Sequence, residues 1–215
     1  MNDMKDLVER ITQRIQQMEK FEKFPIIINV SNRHVHLTKE HFEILFGTNV
    51  ELTKLRDLMQ PGQFAANETV TIVGPKGKFE NVRIIGPLRK YTQIEISRTD
   101  SFVLGVKPPI RDSGNLTGSP GLIIIGPKGK IELNEGCIIA LRHIHFTPQD
   151  AEKLGIKDKD YVRILAGKGK GRETIFSDVI CRVSKEYATE CHLDIDEANA
   201  ANVDNGEYIY IVEKL

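Results

Sequence analysis

Tryptophan is absent from this chain of 215 residues, and tyrosine and phenylalanine are sparse, so a stacking platform for single-stranded nucleic acid is a poor reading. Lysine plus arginine and aspartate plus glutamate both number 30. No excess of one sign therefore recommends nucleic acid or an acidic membrane surface as a partner. No apolar run approaches the roughly 20 residues of a membrane span, and the N-terminus lacks the apolar core of a secretory signal. The three cysteines, Cys137, Cys181 and Cys191, are an odd count without Cys-x-x-Cys spacing. That fits a reducing cytoplasm better than a disulfide framework. A soluble cytoplasmic protein with no nucleic-acid or membrane partner is the expectation.

Histidine is scarce too, yet four of the six sit in two short patterns, Arg33-His34-Val35-His36-Leu37 and Arg142-His143-Ile144-His145-Phe146. Each follows a β-branched apolar run, Pro25–Val30 in one case and Cys137–Leu141 in the other, and these runs read as strands. On a strand, residues i and i+2 point to one face, so each pair aims two imidazoles at one point. Two such imidazoles are half of a zinc site.

Ahead of the first strand, Met4, Leu7, Val8, Ile11, Ile15, Met18 and Phe21 recur at three- and four-residue steps among charged residues. The spacing predicts an amphipathic helix over residues 1–23, with Asn2 or Asp3 as its cap. Its stripe either packs on its own domain or a second subunit, making a homodimer, or docks in a partner's groove. From residue 24 onward strands and turns dominate. Gly-Pro-Lys-Gly occurs at Gly74–Gly77 and again at Gly126–Gly129 between apolar runs, as hairpin turns do.

The chain also looks duplicated. Arg33–Gly47 aligns without a gap on Arg142–Ile156: His-x-His, a threonine cap, then a short helix. Further on, Thr92-Gln93-Ile94-Glu95 lines up with Thr189-Glu190-Cys191-His192. The fold expected is mainly β, two small β-barrels from a tandem duplication, capped by short α-helices. Superposing the copies makes two triples, His34, His36 and Glu95, and His143, His145 and His192. Both are ligand sets that catalytic zinc uses with a position left open. Cys191 neighbours His192 but faces the other way on a strand, so it is set aside as a ligand.

Longer motifs carry a resemblance. Val30-Ser31-Asn32-Arg33-His34-Val35-His36-Leu37, Gln60-Pro61-Gly62-Gln63, Gly86-Pro87-Leu88-Arg89-Lys90 and Glu95–Asp100 resemble the PduL-type phosphotransacylases, also called phosphate propanoyltransferases. So do Ser113-Gly114, Gly118–Gly121, Arg142–His145 and Asp196–Ala201. The resemblance implies a phosphate acyltransferase, exchanging acyl-CoA plus phosphate with acyl phosphate plus CoA, on propanoyl or acetyl groups. It implies two Zn²⁺ per chain, held by the two triples above. It sets Arg89 on phosphate and Asn199 on CoA, and Ser31, Asn32 and Arg83 join Asn199 as CoA candidates. Lys54, Arg56, Lys76, Lys78 and Lys168–Arg172 are further basic turns that CoA phosphates could use, although solvated hairpin charges look the same.

In the family the strand before the first His pair joins the C-terminal barrel. The division expected is therefore 1–23 for the helix, 33–140 for the first barrel with His34 and His36, and 24–32 plus 141–215 for the second with His143 and His145. Relatives are often cargo of bacterial microcompartments, so the helix could direct a cytoplasmic enzyme to a shell. The Asp112–Gly121 loop reads as an ordinary long hairpin loop, His41 as an exposed helix residue, and Asp194 and Asp196 as acids able to orient His192. The competing functions are a zinc-dependent hydrolase of a thioester or phosphate ester, and a metal-stapled scaffold.

Overall fold

The computed structural model describes residues 2–215, with side chains from Met4 onward, so the capping side chain expected at Asn2 or Asp3 lies outside what is described. The first elements are helix α1 (Asn2–Glu22), strands β1 (Ile26–Ser31) and β2 (His34–His36), and helix α2 (Lys39–Phe46). Strands β3 (Lys54–Asp57), β4 (Phe64–Val73), β5 (Lys78–Gly86) and β6 (Gln93–Glu95) lead to helix α3 (Arg98–Leu104). Next come β7 (Ile110–Arg111), β8 (Ile123–Ile125), β9 (Lys130–Glu132), β10 (Cys137–Ala140) and β11 (His143–Phe146), then helix α4 (Pro148–Leu154). The chain ends with β12 (Tyr161–Ala166), β13 (Thr174–Val183), β14 (Glu190–Asp194), helix α5 (Ile195–Ala201) and β15 (Tyr208–Lys214).

These elements form two compact units. One holds the chain as far as Val30, together with Arg142–Leu193 and Glu197–Leu215. Its strands close into a six-membered barrel in the order β1-β14-β11-β13-β12-β15. Alternation builds its interior: Val162, Ile164 and Ala166 are buried while Tyr161 and Arg163 are exposed, and Ile209 and Ile211 turn inward from β15. Closure leaves these strands no free edge.

The other unit holds Ser31–Leu141 and Asp194–Asp196. Its nine-stranded sheet runs β7-β10-β6-β2-β5-β4-β8-β9, with β3 on β4, around a core that includes Val35, Leu37, Phe42, Ile72, Ile84 and Ile94. The sheet curls but does not close. In the barrel, β15 has seven residues and pairs with both β12 and β1. In the corresponding place beside β4, β8 has three residues and spends its other side on β9. Towards β10 a backbone bond from Cys137 N to Pro120 O, 2.9 Å, spans the gap, with no strand pairing between β8 and β10 among the described residues. The mainly β fold stands, as one barrel and one half-barrel.

The duplication is visible in the register. Strand β2 lies between antiparallel β6 and parallel β5, as β11 lies between antiparallel β14 and parallel β13. Arg33 donates to both oxygens of Asp100, at 3.0 and 2.7 Å, with its guanidinium over the Phe79 ring. Arg142 is held in a similar way, its Nε 2.8 Å from Glu197 Oε1 and its guanidinium over the Phe176 ring. Each arginine thereby pins the strand that starts one residue later with a histidine.

Both Gly-Pro-Lys-Gly segments are hairpin turns, and each also covers a helix end. Lys76 N donates to Leu104 O at the end of α3, and Lys128 N to Leu45 O near the end of α2. Such carbonyls have no partner within their own helix. A Cβ on Gly74 would lie 2.3 Å from Leu104 O, and one on Gly126 2.5 Å from Leu45 O. Close approach of two backbones is the reason for glycine at these positions.

Helix α1 forms as expected, but its stripe is exposed: Met4 67%, Leu7 50%, Val8 56%, Ile11 50%, Ile15 52% and Met18 54%. Within this chain the stripe does not pack into its unit's core. Phe21 alone belongs to that core, at 2% exposure. No helix among the described residues is long and apolar enough to cross a membrane.

Candidate metal centres

Strand pairing assembles the first cluster. His34 stands opposite Glu95 and His36 opposite Gln93 on the antiparallel β2–β6 pair, so all four side chains share one face. Ligand atoms of His34, His36 and Glu95 lie within 4.8 Å of one another. His34 Nε2 is 3.5 Å from Glu95 Oε2, and His36 Nε2 is 3.7 Å from Oε1. The opposite ring nitrogens are anchored on backbone carbonyls, His34 Nδ1 on Asn32 O at 2.8 Å and His36 Nδ1 on Ile85 O at 3.1 Å. With Nδ1–H donating, each Nε2 keeps its lone pair aimed at the carboxylate, the tautomer that ligates a cation.

The second cluster repeats this on β11 and β14, where His143 stands opposite His192 and His145 opposite Glu190. Ligand atoms of His143, His145 and His192 also lie within 4.8 Å of one another. The His143 and His192 rings stack at 4.6 Å, and His145 stacks on Tyr187 at 4.1 Å. Buried His145 Nδ1 and His192 Nε2 have no hydrogen-bond partner. Buried polar atoms are seldom left so, and nitrogen donors without a proton partner fit a cation. Together, three imidazoles in one cluster and two with a carboxylate in the other suit a divalent ion that prefers nitrogen and oxygen.

Burial tunes both clusters in the same sense. Desolvation, then the neighbouring His34 and Arg89, holds His36 well below the usual imidazole range, against the opposing pull of the Ile85 carbonyl. His145 is pushed down to about 3 by burial, then by His192 and Arg182. Both imidazoles are therefore neutral at physiological pH, as a ligand must be.

The remaining sequence candidates fall as follows. Arg89 sits half-buried after β5, its backbone N on Leu37 O and its Nη1 3.5 Å from Ser113 Oγ. Arg83 lies beside His34 on the β2–β5 pair, its Nη1 donating to the carbonyls of Ala66 and Asn67, both at 2.9 Å. Ser31 ends β1 half-buried, Asn32 is exposed, and Asn199 is exposed on α5. Most basic turns are engaged with nearby acids: Lys54 with Asp57, Lys78 with Glu80, Lys168 with Glu22 and Lys170 with Glu207.

Three expectations change. His41 is half-buried, its Nδ1 2.7 Å from Thr92 Oγ1, because the threonine that caps β6 also receives the start of α2. Asp196 does not orient His192; its Oδ2 accepts the Thr99 amide at 2.8 Å. The Asp112–Gly121 loop is more than a hairpin loop. Fully buried Gln93 donates to Glu95 Oε1 at 2.5 Å and to Ser113 Oγ at 2.8 Å, and accepts the Gly114 amide at 2.7 Å. Sequence reading missed Gln93, Ser113 and Glu190 as parts of the clusters. The signal was present, since Gln93 and Glu190 sit at i−2 from a ligand on the same strand face.

All three cysteines are buried, with thiols raised by desolvation, Cys137 and Cys181 to about 12 and Cys191 well above its ordinary value. None presents a thiolate.

Two β units, each offering a three-ligand cluster from the same strand pair, define a duplicated β protein built around twin cation-competent sites. Residues 27–204 match the sequence profile of the family described as phosphate propanoyltransferase. The chain belongs to the phosphate propanoyltransferase family, a family of acyltransferases. A phosphate propanoyltransferase of Thermotoga maritima is 59% identical over 188 residues, covering 87% of this chain and 89% of that protein. One from Lachnoclostridium phytofermentans is 50% identical over 210 residues, 96% of this chain and 97% of that protein. Another, from Clostridioides difficile, is 45% identical over 212 residues, 98% of this chain and the full length of that protein.

Proposed function

We propose that this chain transfers a short acyl group, propanoyl or acetyl, between CoA and inorganic phosphate, with two Zn²⁺ per chain. One observation carries this function: both copies of the repeat build a three-ligand cluster at the same strand register, in a chain of this family. His34, His36 and Glu95 would hold one ion, and His143, His145 and His192 the other. A bound divalent cation supplies Lewis acidity towards a thioester carbonyl and charge compensation for a thiolate.

The chain's own groups would do the rest. Arg89 offers a planar fork for two phosphate oxygens, and its charge already reaches His36. Ser31, Asn32, Arg83 and Asn199 would contact CoA. A phosphate oxygen attacks the acyl carbon, the carbon–sulfur bond breaks and CoA leaves as thiolate. Positioning both reactants supplies the proximity contribution. Three buried, high-pKa thiols support direct transfer over an acyl-cysteine. Family membership does not favour the hydrolase alternative.

The enzyme would work in the cytoplasm or inside a bacterial microcompartment. The exposed stripe of α1 would serve there as a docking surface, for a shell or for a second subunit. The deciding experiment incubates zinc-loaded protein with acetyl-, propanoyl- and butanoyl-CoA, with and without phosphate. Phosphate-dependent acyl phosphate formation is expected; CoA release that ignores phosphate would return the hydrolase.

A further inference from the structure

Each cluster belongs to a two-by-two block of side chains on one strand face. In the first, Glu95 and Gln93 stand opposite His34 and His36; in the second, His192 and Glu190 stand opposite His143 and His145. Gln93 and Glu190 thus hold the same repeat position, and both are buried, at 0% and 2% exposure. Charged residues are seldom buried to that degree without compensation. The Gln93 amide donates to the carboxylate ligand and its carbonyl accepts Gly114 N. Glu190 places Oε2 3.0 Å from Nε2 of His192, although Nε2 makes no aligned hydrogen bond.

The two blocks trade places chemically. One reads Gln-x-Glu and the other Glu-x-His, so each carries a single carboxylate, at opposite positions. An amide suits the first, because a carboxylate ligand can only accept. In the second the ligands are three neutral imidazoles, which would leave both charges of a buried dication uncompensated. Glu190 is the carboxylate at hand there, and it lies outside the three-ligand group.

We propose that Glu190 is the buried counter-ion of the second cluster, its carboxylate beside His192 Nε2 offsetting the charge of a divalent cation. Glu95 does the same in the first cluster by direct ligation. This rests on the metal reading of the two clusters. It explains why the repeat keeps one carboxylate per block while moving it, and it assigns a task to a buried acid that acyl transfer itself does not use.

The test titrates Zn²⁺ alone into chelator-stripped, full-length protein against a competing chelator dye, in the His36→Ala background, so that the second cluster is read by itself. Glu190→Gln keeps the side chain's shape and removes its charge. It should weaken this ion about 10- to 100-fold, the usual effect of losing a group that lies just outside the metal ligands. The thermal midpoint of the metal-free chain should not fall. Glu190→Asp, which keeps the charge, should bind within a few-fold of the parent. Unchanged affinity in Glu190→Gln overturns the proposal, as does an equal loss in both variants. Should Glu190→Gln fail to fold, Glu190→Asp decides: retained affinity supports the counter-ion and lost affinity overturns it. A wild-type chain that binds no ion overturns this inference and the metal reading together; two ions in wild type with an indifferent Glu190→Gln overturns this one alone.

Discussion

Glu95 stands directly across from His34 on adjacent antiparallel strands, its Oε2 3.5 Å from the imidazole Nε2. Sixty-one positions separate them in the chain, yet the pairing brings them to one face with His36, which stands opposite Gln93. His192 meets His143 in the same way. Rigid strands rather than loops hold both triples, which suits ligands that must stay in place.

Metal content should follow the triples. Wild-type protein is expected to carry two ions per chain, and His36→Ala or His143→Ala one, with turnover reduced at least a hundredfold, on the order of a lost ligand's effect. Elemental analysis beside a rate measurement checks this. Fully active protein without bound transition metal would sink the assignment.

Arg89 should act on phosphate. Arg89→Ala is expected to lose about 2–3 kcal/mol of phosphate binding, seen as a raised KM for phosphate with the acyl-CoA KM little changed. Arg89→Lys should recover part, because an ammonium lacks the planar fork. Identical kinetics in all three proteins would refute the role.

Acid should destabilise the metal-free fold. His36 and His145 titrate below an ordinary imidazole's value of about 6.5, His145 at about 3. Between those values the unfolded chain binds protons that the fold excludes. Stability therefore falls as pH drops below about 6.5, by up to about 1.4 kcal/mol per unit for each imidazole. The loss levels off once His145 protonates near the bottom of that window. Denaturant unfolding of stripped protein at pH 7 and pH 5 measures it, and His145→Asn should flatten the slope. An unaltered slope in that variant contradicts the prediction.

Gly74→Ala should cost about 1–3 kcal/mol, because its Cβ would strike the last carbonyl of α3, 2.3 Å away. Thermal unfolding reads this directly. An unchanged midpoint would mean that the turn can move off the helix end.

Removing the residues before Lys20 should leave the thermal midpoint and activity intact, since each residue of the apolar stripe Met4, Leu7, Val8, Ile11, Ile15 and Met18 exposes half or more of its surface. Phe21→Ala should cost about 3–5 kcal/mol, because that ring lies in the barrel core. Shell co-purification and oligomer size, measured on the truncated protein, distinguish the two uses of the stripe. Truncation that halves stability would instead return α1 to the fold.

Much of this was legible in the residues themselves. β-Branched apolar runs marked strands such as β1 and β10, and the gapless match of Arg33–Gly47 on Arg142–Ile156 marked the duplication. The alignment of Glu95 with His192 is enough to name both triples. These signals are local, so a linear chain carries them openly. The fate of α1 was different: Met18 and Phe21 share one stripe by spacing, yet one is exposed and the other buried, because burial depends on what packs opposite. Closure of one sheet and opening of the other rested on the length of β15 against β8, a matter of pairing partners. Glu190 and Gln93 looked like ordinary polar residues in sequence. Only cross-strand register set Gln93 against a carboxylate and Glu190 against an imidazole, since a side chain's electrostatic partner is chosen by the neighbouring strand and not by its neighbours in the chain.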